Sequence, residues 1–403
     1  MKHNSEHFFC RKQHNASNRL LLLPEDESDR RLDRLRHSMA ALGIHAGLVS
    51  GNASKFYLTG RVFVGWILVT ADAVTYYVRR PVELEGDRIV YVRKPEEIDF
   101  SCLGSGCLGL ELETMSYSSV ERLEVASGIK NPGNLSSALR SARSVKTETE
   151  IAQIARSGEI QEDVYRRIPG LYRAGMSDIE LQIEIERLSR MSGCLGQFRI
   201  SGDSMELFMG NVLAGDNADT PTPYDFAMGG AGADPSLPVG ADGTVITGGM
   251  TVMVDVNGNY TGYMTDMTRV YKVGNIAPLA EKAHRCSIDI LRMLEKQGIP
   301  GAKASDMHAA AEKIVNDYGL HNYFMGHRQH AAFIGHGVGI EINEAPVIAP
   351  RSRDVLEAGN VIALEPKFVI PGTGAVGVEN TYVVTSDGLK CLTNAPEEII
   401  ELI

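Results

Sequence analysis

At 403 residues the chain is longer than most single domains, and 43% hydrophobic with 23% charged residues is ordinary globular composition. Forty basic against 51 acidic residues give a net charge of −11 with no basic run to neutralise a phosphate backbone, which argues against nucleic acid as a partner. The early apolar run Leu20 to Leu23 is stopped by Pro24, too short for a signal-peptide core or a membrane span. A soluble cytoplasmic protein with no membrane partner is expected.

Residues 1–27 are polar and without a clean period, and are read as a mobile arm or surface strap. From Ser28 an amphipathic stretch through Leu32, Leu35 and Met39 leads into a short strand, Ala46 to Val49. Further strands are expected at Trp66–Thr70, Thr75–Val78, Arg88–Val92 and Leu108–Leu112, each bounded by Gly, Asp or Pro. This is an α/β pattern, with no glycine-rich phosphate loop after any strand. The turn cluster Asn131-Pro132-Gly133-Asn134 and the Ser-rich stretch behind it place a domain junction near residue 140, giving domains of 28–140 and 141–403.

Thr147 with Glu150, and Ser177 with Glu180, each make a capping box, so helices should start just after Thr147, running toward Ile168, and after Ser177. Two more helices fit Leu279, Ala283, Cys286, Ile290, Leu294 and Ala311, Ile314, Val315, Tyr318, the latter ended by Gly319. Helix pairs followed by strands thus occur twice, which hints at internal duplication. The six cysteines (Cys10, Cys102, Cys107, Cys194, Cys286, Cys391) lack zinc-site spacing and are read as reduced, mostly buried thiols.

The chemistry concentrates in the second half. Thr251 to Val256 is a strand carrying Asp255, and Thr265 to Tyr271 another carrying Asp266. A hairpin closing at residues 260 and 261 makes the two aspartates cross-strand partners, Cβ atoms roughly 5 Å apart. A tight Asn257-Gly258 turn would separate them. Glu365 and Glu379 flank a hairpin centred on Gly372, which sets them opposite each other. His336 lies in Gly335-His-Gly-Val-Gly339, a backbone stripped of side chains that lets a ligand such as a metal approach closely. A lone acid in a strand is more often simply solvated, but five ligand-type residues in this order and pairing rarely coincide. Four converging carboxylates repel by several kcal/mol per pair at roughly 4 Å and an effective dielectric of about 20. Two divalent ions (Mn, Co, Fe or Zn) would cancel that charge and share a bridging water.

These segments carry a resemblance. Asp255 to Arg269 (DVNGNYTGYMTDMTR), Gly335 to Pro346 (GHGVGIEINEAP), Leu364-Glu-Pro366 and Gly377-Val-Glu-Asn380 resemble the pita-bread metallopeptidases, the family of methionine aminopeptidases, prolidases, aminopeptidase P and creatinase. Phe56-Tyr-Leu-Thr-Gly60 resembles the N-terminal domain of the creatinase and prolidase branch. The resemblance implies an α/β N-terminal domain and an α+β, duplicated pita-bread C-terminal domain. It implies metal bound by Asp255, by bridging Asp266 and Glu379, and by His336 and Glu365 on the other ion. It also implies Glu365 as general base, a peptide substrate, and a homodimer. Thr268 and Arg269 are the candidates to orient Asp266.

The chain departs from that family at its imidazoles. Pro238 or Val239 stands where relatives carry a histidine upstream of the first aspartate, Asn343 replaces a second and Ala332 a third. Asn343 retains an amide donor for a substrate carbonyl, and His327 and His330 are the candidates to replace a lost donor. His284, on an amphipathic helix, is read as structural. The expected function is an Xaa-Pro dipeptidase or aminopeptidase with two ions. Its alternatives are a metal-binding pseudo-peptidase with a binding or regulatory role, and a metal-free creatinase-like hydrolase.

Overall fold

The computed structural model describes residues 18–202 and 207–403, and the chain divides into two units between Arg143 and Ser144. Of the arm expected over 1–27, residues 1–17 lie outside the described part. From residue 18 the chain is built in rather than loose: Leu20 is buried with its N–H on the Glu85 carbonyl, and the Leu22 N–H donates to Thr59. Helix α1 (Glu25–Ala41) starts before Ser28, with Glu25, Asp26 and Glu27 in its first turn, where the helix dipole favours acids.

The first unit is a mixed sheet in the order β4-β3-β2-β1-β5-β6. Its strands are β1 (Ala46–Val49), β2 (Val64–Thr70), β3 (Val74–Arg80), β4 (Ile89–Tyr91), β5 (Leu108–Leu110) and β6 (Gly133–Asn134). Three helices of this unit were not expected: α2 (Asn52–Thr59), α3 (Tyr117–Ser127) and α4 (Leu135–Ser144). In α4 the serines hide a helical stripe, since Leu135, Ala138, Leu139 and Ala142 are all buried. That stripe carries the first unit past residue 140 to Arg143.

The second unit repeats one plan. Helices α5 (Glu148–Arg167) and α6 (Asp178–Met191), both with complete capping boxes, bury Tyr165, Leu181 and Ile185 in a core with Val212, Val252 and Val254. Those valines belong to the sheet β19-β11-β8-β7, built from β7 (Gly210–Ala214), β8 (Thr251–Val256), β11 (Thr268–Lys272) and β19 (Ile400–Glu401). Helices α7 (Pro278–Gln297) and α8 (Ala304–Tyr318) bury Cys286, Ile290, Leu294, Ala311 and Val315 against Ile348, Ile362 and Leu364. The second sheet has the order β13-β12-β14-β17-β18. Its strands are β12 (Gly335–Gly337), β13 (Glu344–Ile348), β14 (Val361–Leu364), β17 (Asn380–Thr385) and β18 (Gly388–Cys391). Two short ribbons complete the unit: β9 (Gly258–Asn259) with β10 (Met264–Thr265), and β15 (Lys367–Ile370) with β16 (Gly374–Gly377).

Among the described cysteines none is paired; Cys194 and Cys286 are buried, Cys107 and Cys391 partly so, and Cys102 is exposed. Thiols were expected to be mostly buried, and only two are. No described helix is long and apolar enough to cross a membrane.

Candidate metal centre

Asp255 sits at the end of β8 and Asp266 between β10 and β11, but not as direct partners. Asp255 pairs with Thr268, and the ribbon Gly258 with Thr265 continues the same register. The turn therefore falls over Tyr260 to Tyr263, slightly beyond the expected residues 260 and 261, and the tight Asn257-Gly258 turn does not form. The aspartates become diagonal rather than direct neighbours, still on one face and within reach of each other's carboxylates. The cause lies behind the strand: the Tyr165 hydroxyl accepts from Val256 N–H at 2.9 Å and donates to the Met267 carbonyl, fixing both strands from α5.

The C-terminal pair has the expected register. Leu364 pairs with Asn380 and Lys367 with Gly377 in one continuous alignment, which sets Glu365 opposite Glu379. His336 stands in the middle of β12, between β13 and β14. The glycines around it serve the sheet rather than a ligand: a Cβ on Gly335 would come 2.4 Å from the Ala363 carbonyl oxygen, and one on Gly337 would come 2.2 Å from that of Ala345. Its Nδ1 lies 3.2 Å from the Gly337 carbonyl, so with the proton on Nδ1 the Nε2 lone pair is left for the acids.

All five side chains converge. Ligand atoms of Asp266, His336 and Glu379 lie within 4.8 Å of one another, and so do those of Asp255, Glu365 and Glu379. Glu379 is common to both groups; Asp266, expected to be shared as well, falls in one, and Glu365 groups with Asp255. His336 Nε2 is nevertheless 3.3 Å from Glu365 Oε1 and 3.8 Å from Asp266 Oδ2.

Lys367 is the residue that sequence reasoning missed. Its side chain is fully buried, and Nζ lies 2.8 Å from Asp255, 2.6 Å from Glu365 and 3.1 Å from Glu379. The signal was available: two residues after Glu365 in an extended segment, it shares that residue's face. Burial alone would depress its pKa, but the carboxylates of Asp255, Glu365 and Glu379 outweigh burial and hold it well above the usual lysine range. Burial likewise pushes Glu365 up, yet Lys367 and His336 bring it down to about 2. Glu379 goes the other way, raised to about 8 by burial and the facing Glu365. Asp266 is also raised, by burial and then by Glu379 and Asp255. Burial opposes the charged form of His336, and its contact with Glu365 raises its pKa nonetheless. Within the facing pair, the contacts with Lys367 and His336 thus favour the charged form of Glu365, while burial and Glu365 itself oppose that of Glu379.

Thr268 and Arg269, expected to orient Asp266, instead hold Glu379. The Thr268 hydroxyl donates to Glu379 Oε2 at 2.7 Å, and Arg269 donates to the Glu379 backbone carbonyl and to Asn380 Oδ1, both at 2.8 Å. Thr381 clamps Asp266 through its backbone. Thr268 pairs with Asp255 on one side, and its carbonyl accepts from the Glu379 N–H at 3.3 Å on the other.

Above these residues opens a cavity of about 240 Å³ with Asp255, Asp266, His336 and Glu365 on its floor and Phe198, Phe226, Phe333, Ile342 and Val347 in its walls. Asn343 lines it too, but its amide is engaged: Nδ2 donates to the Ser201 carbonyl at 2.6 Å and Oδ1 accepts from Ser201 N–H at 2.9 Å. Neither His327 nor His330 lines it. His327 Nδ1 is 2.9 Å from Asp219, and His330 Nδ1 is 2.8 Å from the Phe324 carbonyl. His284 is buried 2.7 Å from the Glu397 carbonyl, away from the cavity.

The model of metallopeptidase family M24 matches residues 152–386, which hold all five converging ligand-type residues. The chain belongs to metallopeptidase family M24. A creatinase/prolidase N-terminal domain model matches residues 31–145 of this M24 hydrolase. It is 27% identical over 381 residues to an Xaa-Pro dipeptidase of Pyrococcus furiosus, covering 92% of this chain and 99% of that one. Among solved structures, an Xaa-Pro dipeptidase from Bacillus anthracis superposes with a TM-score of 0.77 at 25% identity, covering 93% of this chain and 99% of that one. The prolidase from Pyrococcus horikoshii OT3 gives 0.75 at 25% identity, covering 92% and 99%.

One observation tests whether a metal suits these M24 residues. Glu379 Oε1 is buried with no hydrogen-bond partner among the described residues. A buried carboxylate oxygen left bare, on a residue that clusters with an aspartate and an imidazole, fits a cation.

Proposed function

We propose that the chain is a metal-dependent peptidase that hydrolyses the N-terminal bond of dipeptides or short peptides, Xaa-Pro peptides among them. The observation that carries this reading is the acid and imidazole cluster on the floor of an apolar-walled cavity. The proposed metal-holding residues are drawn from Asp255, Asp266, His336, Glu365 and Glu379, which form two candidate corners sharing Glu379. A divalent ion (Mn, Co, Fe or Zn) held there supplies Lewis acidity and lowers the pKa of water.

Glu365 is the proposed proton acceptor for the attacking water. It reaches the cavity, and its contacts with Lys367 and His336 keep it ionised, the state an acceptor needs. Asn343 is proposed to act on the substrate side with the amide hydrogen it does not give to Ser201, and to hold residues 198–202 against the cavity. Phe198, Phe226 and Phe333 offer apolar surface to a substrate side chain and exclude water from it. Two ions, the number expected from the resemblance, would need both corners of the cluster. The relatives' names, Xaa-Pro dipeptidase and prolidase, support the substrate class. A cytoplasmic homodimer is the proposed form, which light scattering tests.

A catalytically idle metal-binding protein on the same fold is the second reading. It is favoured by the engaged amide of Asn343 and by His327 and His330 pairing away from the cavity, so that neither takes the place of the imidazoles missing at Pro238 or Val239, at Asn343 and at Ala332. Purified protein loaded in turn with Mn²⁺, Co²⁺, Fe²⁺ and Zn²⁺ and offered a panel of Xaa-Pro and other dipeptides separates the two. Turnover with any metal supports the peptidase; an intact panel with every metal supports the idle protein.

A further inference from the structure

Lys367 stands in a built site. The strand register puts it opposite Gly377, where a Cβ would come 2.9 Å from the Lys367 Cα and 3.3 Å from its Cγ. Glycine there leaves the lysine stem its room. The backbone is pinned from the other side, where Met325 N–H donates to the Lys367 carbonyl at 2.8 Å. The side chain is completely enclosed; its ammonium donates to Asp255 Oδ2 at 2.8 Å and to Glu365 Oε2 at 2.6 Å, and lies 3.1 Å from Glu379 Oε2. Those same three residues form one of the two clusters suited to a metal.

We propose that the Lys367 ammonium is a built-in cation that fills the Asp255, Glu365 and Glu379 corner, so that the chain takes up no more than one divalent ion, at Asp266, His336 and Glu379. An ion in the first corner would need oxygens that already surround Nζ, and would be a like charge in contact with it. The second corner is different: the ion pairs of Lys367 run to Asp255, Glu365 and Glu379 Oε2, none to Asp266 or His336 among the described residues, and Glu379 Oε1 is buried without a hydrogen-bond partner. The inference rests on the metal reading of the site and not on peptidase activity.

The experiment is a metal count on the full-length protein. Wild type and Lys367→Met, the latter purified in Mn²⁺ because it leaves three buried acids without their ammonium, are stripped, titrated with Mn²⁺ by calorimetry and measured by elemental analysis after dialysis. Wild type is expected to hold no more than one equivalent, and folded Lys367→Met one more than wild type. Two equivalents in wild type overturn the inference and leave the metal reading standing. No gain in folded Lys367→Met overturns it, and no uptake by either protein removes the metal reading as well. Should the variant fail to fold by circular dichroism, anomalous diffraction from Mn²⁺-soaked wild-type crystals decides. A peak between Asp255 and Glu365 overturns the proposal; Lys367 density there without such a peak supports it.

Discussion

The Thr268 hydroxyl lies 2.7 Å from Oε2 of Glu379, and it reaches there from the strand position paired with Asp255. One threonine thus ties the two halves of the candidate centre together. It also leaves Glu379 Oε1 as the free oxygen of that carboxylate. Partners of this kind typically change metal affinity by about 10- to 100-fold. Thr268→Val should weaken Mn²⁺ binding by that factor while Thr268→Ser retains it, as read by calorimetric titration. Equal affinity in all three proteins would show that the hydroxyl does not orient the carboxylate.

A second buried pair supports the loop after His336. Lys146 Nζ lies 3.0 Å from Glu344 Oε2, both side chains almost wholly buried, and Glu344 Oε1 accepts from the N–H groups of Ile340 and Glu341 at 3.1 Å. Lys146→Met takes one cationic partner from this buried carboxylate, which should lower stability in urea unfolding by up to about 3 kcal/mol. Adding Glu344→Gln should recover part of the loss, since the amide oxygen still accepts from the backbone. A single variant as stable as wild type would contradict this.

Acidification should destabilise the second unit through His284. Burial lowers its pKa, and its Nδ1 is buried with no partner among the described residues while Nε2 contacts the Glu397 carbonyl. The folded chain therefore binds fewer protons than the unfolded chain just below the ordinary histidine value of about 6.5. Stability is full above that pH and falls as pH drops below it. His308, lowered by burial in the same way, adds to the slope. Urea midpoints at pH 7.5 and 5.5 should differ less for His284→Gln than for wild type.

Gly337→Ala should push β12 off β13, because the new methyl meets the Ala345 carbonyl oxygen at 2.2 Å, a backbone atom that cannot rotate away. Overpacking of this kind costs about 1–3 kcal/mol. Since His336 is the adjacent residue, Mn²⁺ affinity should fall with stability. Unchanged melting and unchanged affinity would show that the strands yield without strain.

Local signals carried the helices of the second unit. Capping boxes at Thr147 and Ser177 and the apolar stripe of α7 act within a few residues, so the sequence shows them directly. Helix α4 was missed because Ser136, Ser137 and Ser141 look like loop, whereas Leu135, Ala138, Leu139 and Ala142 decide its packing. At the site, the symmetric spacing around Gly372 gave the facing of Glu365 and Glu379. The same reasoning misplaced Asp266 by two positions, because Tyr165 on a distant helix fixes that hairpin.

By itself, then, the order of Asp, Asp, His, Glu and Glu along the chain determined which residues gather, since hairpin pairing follows from turn position and a period of two. Only the tertiary structure decided what lies between them. Whether an ammonium or an open corner faces three carboxylates depends on how strands distant in sequence aim Lys367, Asp255 and Glu379 at a single point. Charge balance in a buried site is a sum over space, and no stretch of sequence contains all of its terms.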